Sequence, residues 1–575
     1  MEALDWLVIG VFFLALIGII VWVVRQKQND SADYFLGGRD ATWLAIGASI
    51  FASNIGSEHL IGLAGAGASS GMAMAHWEIQ GWMILILGWV FVPFYTRSMV
   101  YTMPEFLERR YNPQSRTILS VISLVSYVLT KVAVTVYAGG LVFQQVFGIK
   151  ELWGIDFFWI AAIGLVVLTA LYTIFGGMKS VLYTSVLQTP ILLLGSLIIL
   201  VLGFKELGGW DEMMRVCGAV TVNDYGDTMT NLIRSNDDAN FPWLGALIGS
   251  AIIGFWYWCT DQFIVQRVLS GKNEMEARRG TIFGAYLKLL PVFLFLIPGM
   301  IAFALHQKYI GAGGEGFLPM LENGTANADA AFPTLVTKLL PAGVKGLVVC
   351  GILAALMSSL ASLFNSSAML FTIDFYKRFR PETPEKKLVG IGQIATVVIV
   401  ILGILWIPIM RSVGDVLYTY LQDVQSVLAP GIAAAFLLGI CWKRTSAQGG
   451  MWGLISGMVI GLTRLGAKVY YSNAGEVADS TFKYLFYDMN WLFFCGWMFL
   501  FCIIVVIVVS LATKAPTAEK IQGLVFGTAT KEQKAATRAS WDHWDIIHTV
   551  IILAITGAFY WYFLSLIHIS EPTRP

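Results

Sequence analysis

Six ionisable side chains of this sequence stand inside apolar stretches, where a charge is costly and is usually functional. Glu78, Lys288 and His59 form the most informative set, because a carboxylate, an amine and an imidazole can each make charge-assisted hydrogen bonds to hydroxyl groups. Such a set is typical of a pocket for a neutral polyol, although Glu78 and Lys288 could instead form a structural ion pair. The other members are Glu58, Lys131 and Asp261. We interpret Lys131 and Asp261 as structural, and we assign no role to Glu58.

A second polar cluster lies in the stretch AALMSSLASLFNSS, residues 354–367. Ser358, Ser359 and Ser362 fall on one turn of a predicted helix. A hard monovalent cation prefers hydroxyl and carbonyl oxygens, so this turn is a candidate cation site. The alternative is that each serine bonds back to the preceding turn of its own helix.

Membrane-spanning helices must position these residues. The chain of 575 residues is 57% hydrophobic and only 13% charged, and a soluble protein with so little charge could not cover its surface. Apolar runs of roughly 20 residues, the length that spans a bilayer, recur about fourteen times, so we predict an all-α multi-pass membrane protein. The predicted spans are 4–25, 42–65, 74–97, 116–147, 154–177, 181–204, 241–266, 281–306, 338–375, 388–409, 414–440, 447–463, 487–512 and 546–566.

Loop charge predicts which side of the membrane each loop occupies. Lys and Arg are concentrated in one alternating set of loops, for example at Arg25, Arg97, Arg267 and Lys377. Because cytoplasmic loops carry the excess of positive charge, both termini are predicted to be extracytoplasmic, which agrees with an even number of spans. The last nine residues, 567–575, are polar, and we expect them to be a non-native tail.

Two of the predicted spans are interrupted by polar residues. One is FASNIGSEHLIG, residues 51–62, and the other is IIGFWYWCTDQFIVQR, residues 252–267. Each is followed by four further spans, which is the pattern of an inverted-repeat carrier whose sites lie where the broken helices cross the membrane midplane. The alternative is that Gly56 and Gly254 are packing glycines and the polar residues bond between helices.

Composition and spacing exclude several classes of function. The formal net charge is +1, which implies no attraction to nucleic acid. The six cysteines have no metal-ligand or redox spacing, and no nucleophile and base stand together, so an enzyme is not expected. The expected partners are the lipid bilayer and small solutes, with no obligate protein partner evident.

Several long motifs resemble the sodium/solute symporter family, and within it the chain is most similar to the sodium/glucose (galactose) cotransporters. The resemblance covers about residues 5–565 and every predicted span. It implies a LeuT-like fold of five-plus-five inverted repeats in a single transmembrane domain, 1–575. The motifs are FASNIGSEHLIGLAG, LYTIFGGMKSVLYT, YWCTDQFIVQR, GAYLKLLP, AALMSSLASLFNSS and PGIAAAFLLGICWKR. The implied parts are an extra N-terminal helix at 4–25, a first repeat at 42–204, an inverted repeat at 241–440 and three extra helices at 447–566.

The resemblance also implies individual roles. The sodium ligands would be the carbonyls of Ala52, Ile55 and Ala355 and the hydroxyls of Ser358 and Ser359. The sugar-binding residues would be Asn54, His59, Glu78, Lys288 and Gln422, with Tyr257 as inner gate below the sugar and Trp258 beside it. Leu63 and Tyr418 match the outer hydrophobic gate.

The chain departs from the family pattern at positions that matter for specificity. His59 and Lys131 resemble the animal proteins, whereas Gly81 and Gly254 replace the Ser and Asn that contact sugar in bacterial carriers. Ser185 stands where the family usually has Asp. Two-sodium members pair that Asp with a Thr-Ser at positions 361 and 362, and this chain has Ala361 and Ser362 there. We therefore predict one sodium per sugar.

The combined expectation is a plasma-membrane symporter that uses Na⁺ to import a neutral, glucose-like or galactose-like monosaccharide by alternating access. Two alternatives stay open. The first is symport of another small solute, such as myo-inositol or an amino acid. The second is a sugar sensor that keeps the fold without transporting.

Overall fold

Helices dominate the computed structural model, and the one short hairpin pairs Glu151–Leu152 with Ile155–Asp156 among the described residues. The structure describes residues 1–26, 30–56, 58–321, 324–412, 417–473 and 478–570. The longer helices are Ala3–Val24, Trp43–Asn54, Pro113–Ser126, Ala133–Phe147, Phe157–Leu207, Trp243–Gly254, Glu274–Lys288, Ile297–Gly311, Val344–Met369, Glu385–Ser412, Leu417–Cys441, Ala447–Asn473, Trp491–Ala512 and His543–Ser570. The shorter ones near the sites are Glu58–Leu63, Ala64–Ser70, Ala75–Glu78, Gly81–Ile86, Tyr127–Val132, Phe255–Thr260, Gln262–Leu269 and Leu370–Tyr376.

Ten helical stretches among the described residues are long and apolar enough to cross a membrane. One of them, Phe157–Leu207, runs for 51 residues, about 75 Å of helix at a rise of 1.5 Å per residue. That is more than twice the hydrocarbon thickness, and Gly177 interrupts it with φ 52° and ψ −147°. The stretch therefore holds both spans predicted at 154–177 and 181–204. The total of about fourteen spans stays a prediction.

The first predicted interruption is a true break. The helix Trp43–Asn54 ends before Ile55, which is extended with φ −79° and ψ 100°, and the chain re-enters a helix as the wide π-helical turn Glu58–Leu63. We call 43–70 the first broken segment. Its break lies at Ile55 and Gly56, as the sequence predicts; Ser57 lies outside the described residues.

The second interruption also breaks its helix, but not at its glycine. Gly254 is helical, with φ −62° and ψ −40°, and the chain becomes extended only at Asp261, with φ −77° and ψ 127°. The Asp261 side chain then accepts a hydrogen bond from the Phe263 amide and caps Gln262–Leu269. We call 243–269 the second broken segment.

Burial separates a protein core from a lipid-facing periphery. From Gly346 to Met369, nearly every side chain of the helix Val344–Met369 is buried, and this helix packs against Trp43–Asn54 and Phe157–Leu207. In contrast, Ala3–Val24 and His543–Ser570 bury few of their apolar side chains. Exposed apolar helix faces suit contact with lipid tails.

One boundary prediction needs correction. The span predicted at 447–463 is a helix that extends from Ala447 to Asn473. The charge of Arg464 lowers the hydropathy at this position, so the span was predicted to end before it. The Arg464 side chain is nevertheless only 1% exposed. Its Nη2 donates to the carbonyl of Met489 at 2.8 Å, so the charge lies against protein rather than lipid.

Candidate functional site

A polar cavity lies between the two broken segments. Its volume is about 50 Å³, and it brings together residues that are far apart in the chain. The predicted site residues that line it are Asn54, His59, Glu78, Tyr257, Trp258 and Lys288. Six of the twelve residues that line the cavity were thus predicted from the sequence as substrate-binding residues.

The centre of this cavity is a buried triad of ionisable side chains. Lys288 Nζ donates to Glu78 Oε2 at 2.6 Å, and His59 Nε2 lies 3.2 Å from the same oxygen. All three side chains are at most 4% exposed. A buried carboxylate needs such partners, and Nδ1 of His59 has no hydrogen-bond partner among the described residues. The triad thus combines charge compensation with polar atoms that face the cavity.

Asn54 and Tyr257 connect the two broken segments beneath the triad. Asn54 Nδ2 donates to Tyr257 Oη at 3.2 Å, and its Oδ1 accepts from Lys288 Nζ at 3.3 Å. Trp258 follows Tyr257 and has Lys288 Nζ 5.3 Å from its ring centroid, which is cation–π distance. The amide of Asn54 therefore contacts both Lys288 of the triad and the aromatic residue Tyr257.

Not every predicted site residue can be placed here. Leu63 is fully buried, but it is absent from the residues that line the described cavity. The backbones of Tyr418 and Gln422 belong to the helix Leu417–Cys441, while their side chains lie outside the described residues. The nearest described neighbour of Gln422 along the chain that lines the cavity is Gln425.

The structure adds residues that sequence reasoning missed. Gln80, Ile253 and Gln425 line the cavity beside the predicted set. Gln80 lies two residues after Glu78, in the turn between the helices Ala75–Glu78 and Gly81–Ile86. Residues two apart do not share a helix face, so only the fold places it in the cavity.

Glu58, which the sequence left without a role, lines two cavities. One is the polar cavity of the triad, and the other is a small neighbouring cavity lined also by Lys131 and Ser359. Its carboxylate interacts electrostatically with His59, which lines the first cavity, and with Lys131, which lines the second. Glu58 therefore stands between the triad and the candidate sodium site.

Lys131 and Asp261 form a separate buried pair. Lys131 Nζ lies 2.6 Å from Asp261 Oδ2, and the Tyr127 hydroxyl donates to the other carboxylate oxygen. The ammonium also lies 4.8 Å from the ring centroid of Tyr257. This geometry agrees with a structural role for the pair. The pair also connects the helix break at Asp261 to the ring of Tyr257.

Of the predicted sodium ligands, Ala52 and Ile55 lie at the first helix break, and Ser359 approaches it. The carbonyls of Ala52 and Ile55 accept no hydrogen bond from any described residue, because the chain leaves the helix before the donors that would bond to them. A Cβ on Gly56 would lie 2.9 Å from Glu58 Oε2 and 3.0 Å from Ser359 Oγ, so the glycine lets the break lie close to both the Glu58 carboxylate and the helix Val344–Met369. Unbonded carbonyls beside hydroxyls are the oxygen ligands that a sodium ion prefers, and the residues present fit the ion.

Hydrogen bonds between hydroxyl groups connect the neighbouring helices around this site. Ser358 Oγ lies 3.2 Å from Ser185 Oγ, and Ser53 Oγ lies 2.7 Å from Ser362 Oγ. Ser185 also donates to the carbonyl of Val181 at 2.6 Å. Position 185, where a carboxylate would add a negative charge to the site, thus carries a neutral hydroxyl group that is already hydrogen-bonded.

Two broken helices that enclose a polar cavity beside a candidate cation site are the architecture of a secondary active carrier. The model of the family described as "Sodium:solute symporter family" matches residues 34–457, and the chain belongs to this family. It is therefore a transporter and not an enzyme, and sodium is its coupling ion.

Relatives and solved structures agree with this assignment. Sodium/myo-inositol cotransporter 2 of Mus musculus is 37% identical over 542 residues, which are 92% of this chain and 80% of the relative. Sodium/glucose cotransporter 4 of Danio rerio is 35% identical over 560 residues, 94% of this chain and 84% of the relative. The structure of a Na⁺-coupled sialic acid symporter in a substrate-bound outward-open state superposes with a TM-score of 0.72, at 22% identity, over 90% of this chain and 99% of the other. The all-α, LeuT-like fold with broken helices predicted from the sequence is thus confirmed.

Proposed function

We propose that this protein imports a neutral monosaccharide, of the glucose or galactose type, together with one sodium ion. The observation that carries the proposal is the Glu78–Lys288–His59 triad, which faces a cavity at the helix breaks and beside the sodium ligands. The carboxylate accepts hydrogen bonds from substrate hydroxyls, while the ammonium and imidazole donate to them. Proteins with high similarity to this chain are named as carriers of cyclic polyols, which supports the same chemical class.

Each residue then has a proposed part in the transport cycle. Sodium fills the gap left by the unbonded carbonyls of Ala52 and Ile55, with further oxygens from Ala355, Ser358 and Ser359. This stabilises the first broken segment in the conformation that presents Asn54 and His59 to the substrate. Coupling of this kind is reciprocal and is typically worth about 1–3 kcal/mol.

The gates complete the proposed cycle. Tyr257 lies below the cavity and hydrogen-bonds to Asn54, so its movement would open the way to the cytoplasm. Leu63 and Tyr418 are proposed to close the outer side, and Gln422 to contact the substrate. Trp258 shapes the aromatic floor next to Lys288.

Basic residues support the proposed orientation, in which both termini are extracytoplasmic and the carrier acts in the plasma membrane. Arg39 donates to the carbonyls of Met99 and Val100, and Lys520 donates to that of Glu108. Loops that the positive-inside rule assigns to the cytoplasm therefore touch one another across the sequence. We propose that this face is cytoplasmic.

myo-Inositol is the strongest alternative substrate, because similar proteins carry its name and its ring hydroxyls suit the same triad. An amino acid fits less well, since its carboxylate would approach the buried carboxylate of Glu78. A sensor that does not transport would have no need for a complete sodium site.

The proposed function is tested by uptake into proteoliposomes that contain the purified full chain. We expect a sodium gradient to drive accumulation of radiolabelled D-glucose, D-galactose or myo-inositol, and counterflow to rank them. A potassium gradient of equal size is the control. Sodium-independent flux, or binding of these solutes without flux, would contradict the proposal.

The neutral hydroxyl of Ser185 predicts the stoichiometry. Because no carboxylate occupies that position, we expect one sodium per substrate molecule, and a charge-to-flux ratio close to one. The ratio is measured by recording current and tracer uptake together in one voltage-clamped preparation. A ratio near two would show that a second ion binds without the missing carboxylate.

Ser359→Ala should weaken sodium activation without preventing folding. The hydroxyl is one of several ligands, and loss of one hydrogen-bond-like contact to a charge costs about 1–3 kcal/mol, so the sodium concentration for half-maximal uptake should rise roughly tenfold to a hundredfold. Ser367→Ala, on the same helix but eight residues further on, is the matched control. Unchanged sodium activation would remove Ser359 from the site.

A further inference from the structure

Gln80 holds a hydrogen-bond acceptor in a fixed direction at the wall of the polar cavity. Its side chain is 3% exposed, and Nε2 donates to the carbonyl of Ser250 at 2.9 Å. A backbone carbonyl can only accept a hydrogen bond, so this contact fixes the orientation of the amide. The amide oxygen Oε1 must then lie on the other side, where it accepts no hydrogen bond from the described residues.

The glycine at position 254 makes this placement possible. A Cβ built on Gly254 would collide with Gln80 Oε1 and would lie 3.0 Å from Cδ of the same side chain. The Gln80 amide therefore occupies the space of a side chain at position 254, and both residues line the polar cavity. Any larger residue at this position would force the amide to move.

We propose that Gln80 Oε1 is a specificity-determining contact that accepts a hydrogen bond from one hydroxyl of a neutral polyol substrate. The inference rests on the proposed function and adds an acceptor that is neutral, unlike the carboxylate of Glu78. A hydroxyl donates to this oxygen, whereas a substrate that lacks the hydroxyl leaves a buried acceptor unpaired. Sites that hydrogen-bond a substrate hydroxyl discriminate against analogues without it for this reason.

The geometry also separates Gln80 from a purely structural role. The donation to Ser250 alone would hold the side chain in place, and a packing role would be indifferent to which substrate hydroxyl is present. A contact with substrate instead couples Gln80 to one position of the ring. This coupling is measured with a series of substrate analogues that each lack one hydroxyl.

The test compares the wild-type full chain with Gln80→Met in proteoliposomes. The substrate is D-glucose or myo-inositol, whichever gives sodium-driven uptake, and its monodeoxy analogues are the competitors. In the wild type, one analogue should inhibit about tenfold more weakly than the parent compound because it leaves the acceptor unpaired. In Gln80→Met, the parent should bind about tenfold more weakly, the penalty for that analogue should vanish, and the ranking of the others should stay unchanged.

Gly254→Ala provides a second, independent variant. It keeps the glutamine but displaces its Oε1, so the same selective loss is expected even if Gln80→Met folds poorly. Gln188→Met is the matched control, because Gln188 is buried, has no hydrogen-bond partner among the described residues and does not line the polar cavity. It should leave the analogue pattern unchanged.

The outcomes separate this inference from the function on which it rests. If the wild type transports but the deoxy pattern is the same in wild type, Gln80→Met and Gly254→Ala, Gln80 does not contact substrate and only this assignment is overturned. If the wild type shows no sodium-driven uptake of any polyol, the proposed function fails and the assignment fails with it. A change in sodium activation without a change in the deoxy pattern also contradicts a substrate contact.

Discussion

Glu78→Ala is expected to abolish substrate uptake, the largest functional effect that the site predicts. Glu78 is the only carboxylate that contacts Lys288 and His59 among the described residues. Its removal takes away the charged acceptor for substrate hydroxyls and leaves a buried ammonium uncompensated. Loss of one charge-assisted contact and the pairing of Lys288 together should lower uptake by more than a hundredfold, since about 1.4 kcal/mol corresponds to each factor of ten.

Folding must be separated from binding in this experiment. Removing one partner of a buried ion pair costs roughly 3–5 kcal/mol, so Glu78→Ala on its own could reduce the amount of folded protein. The double variant Glu78→Leu/Lys288→Met removes both charges and should recover the thermal stability while uptake stays absent. Uptake per folded molecule is measured after size-exclusion chromatography. Normal uptake by either variant would contradict the proposal that the triad binds a polyol.

The residues of the triad could be predicted because charge inside an apolar stretch is a strong signal. Glu78, His59 and Lys288 are costly at membrane depth, so their types alone indicated a site. Their mutual distances needed the fold, since Glu78 and Lys288 are 210 positions apart. The break at Ile55 was predictable for a related reason, because Asn54 and Gly56 are poor residues for a continuous apolar helix.

The role of Gln80 could not be read from the sequence. A glutamine within a predicted span is no signal by itself, and the glycine that makes room for it is 174 positions away. What links them is the packing of the second broken segment against the helix turn after Glu78, which is a tertiary fact. The same limit applies to the second helix break. Gly254 is helical there, and the chain leaves the helix only at Asp261.

Glu58 shows a third kind of limit. Its charge was visible in the sequence, but no role could be assigned to it. The structure places it between two cavities, with the triad on one side and Ser359 and Lys131 on the other. A sequence pattern can find a buried charge, but it cannot show that the charge borders two separate spaces.

Lys131→Met is expected to destabilise the folded protein strongly, because it leaves Asp261 buried without its cation. The pair has an N–O distance of 2.6 Å with side chains 10% and 2% exposed. Breaking a buried pair from one side costs roughly 3–5 kcal/mol. Asp261 also caps the helix Gln262–Leu269 and accepts a hydrogen bond from Tyr127. An unpaired carboxylate there would therefore destabilise the chain at the helix break as well. The measurement is thermal unfolding of the purified protein in detergent or nanodiscs.

The double variant Lys131→Met/Asp261→Asn decides between a charge effect and a packing effect. Asparagine keeps an oxygen for the Phe263 amide and for the Tyr127 hydroxyl, and it carries no charge. If the loss in Lys131→Met arises from the uncompensated carboxylate, the double variant should be more stable than the single one. Lys483→Met, which removes a partly buried cation that pairs with the exposed Asp479 at 2.9 Å, should leave thermal stability unchanged because a pair at the surface contributes little. Equal destabilisation of the single and double variants would instead show that the ammonium stabilises the protein through the rings of Tyr257 and Phe263 that surround it.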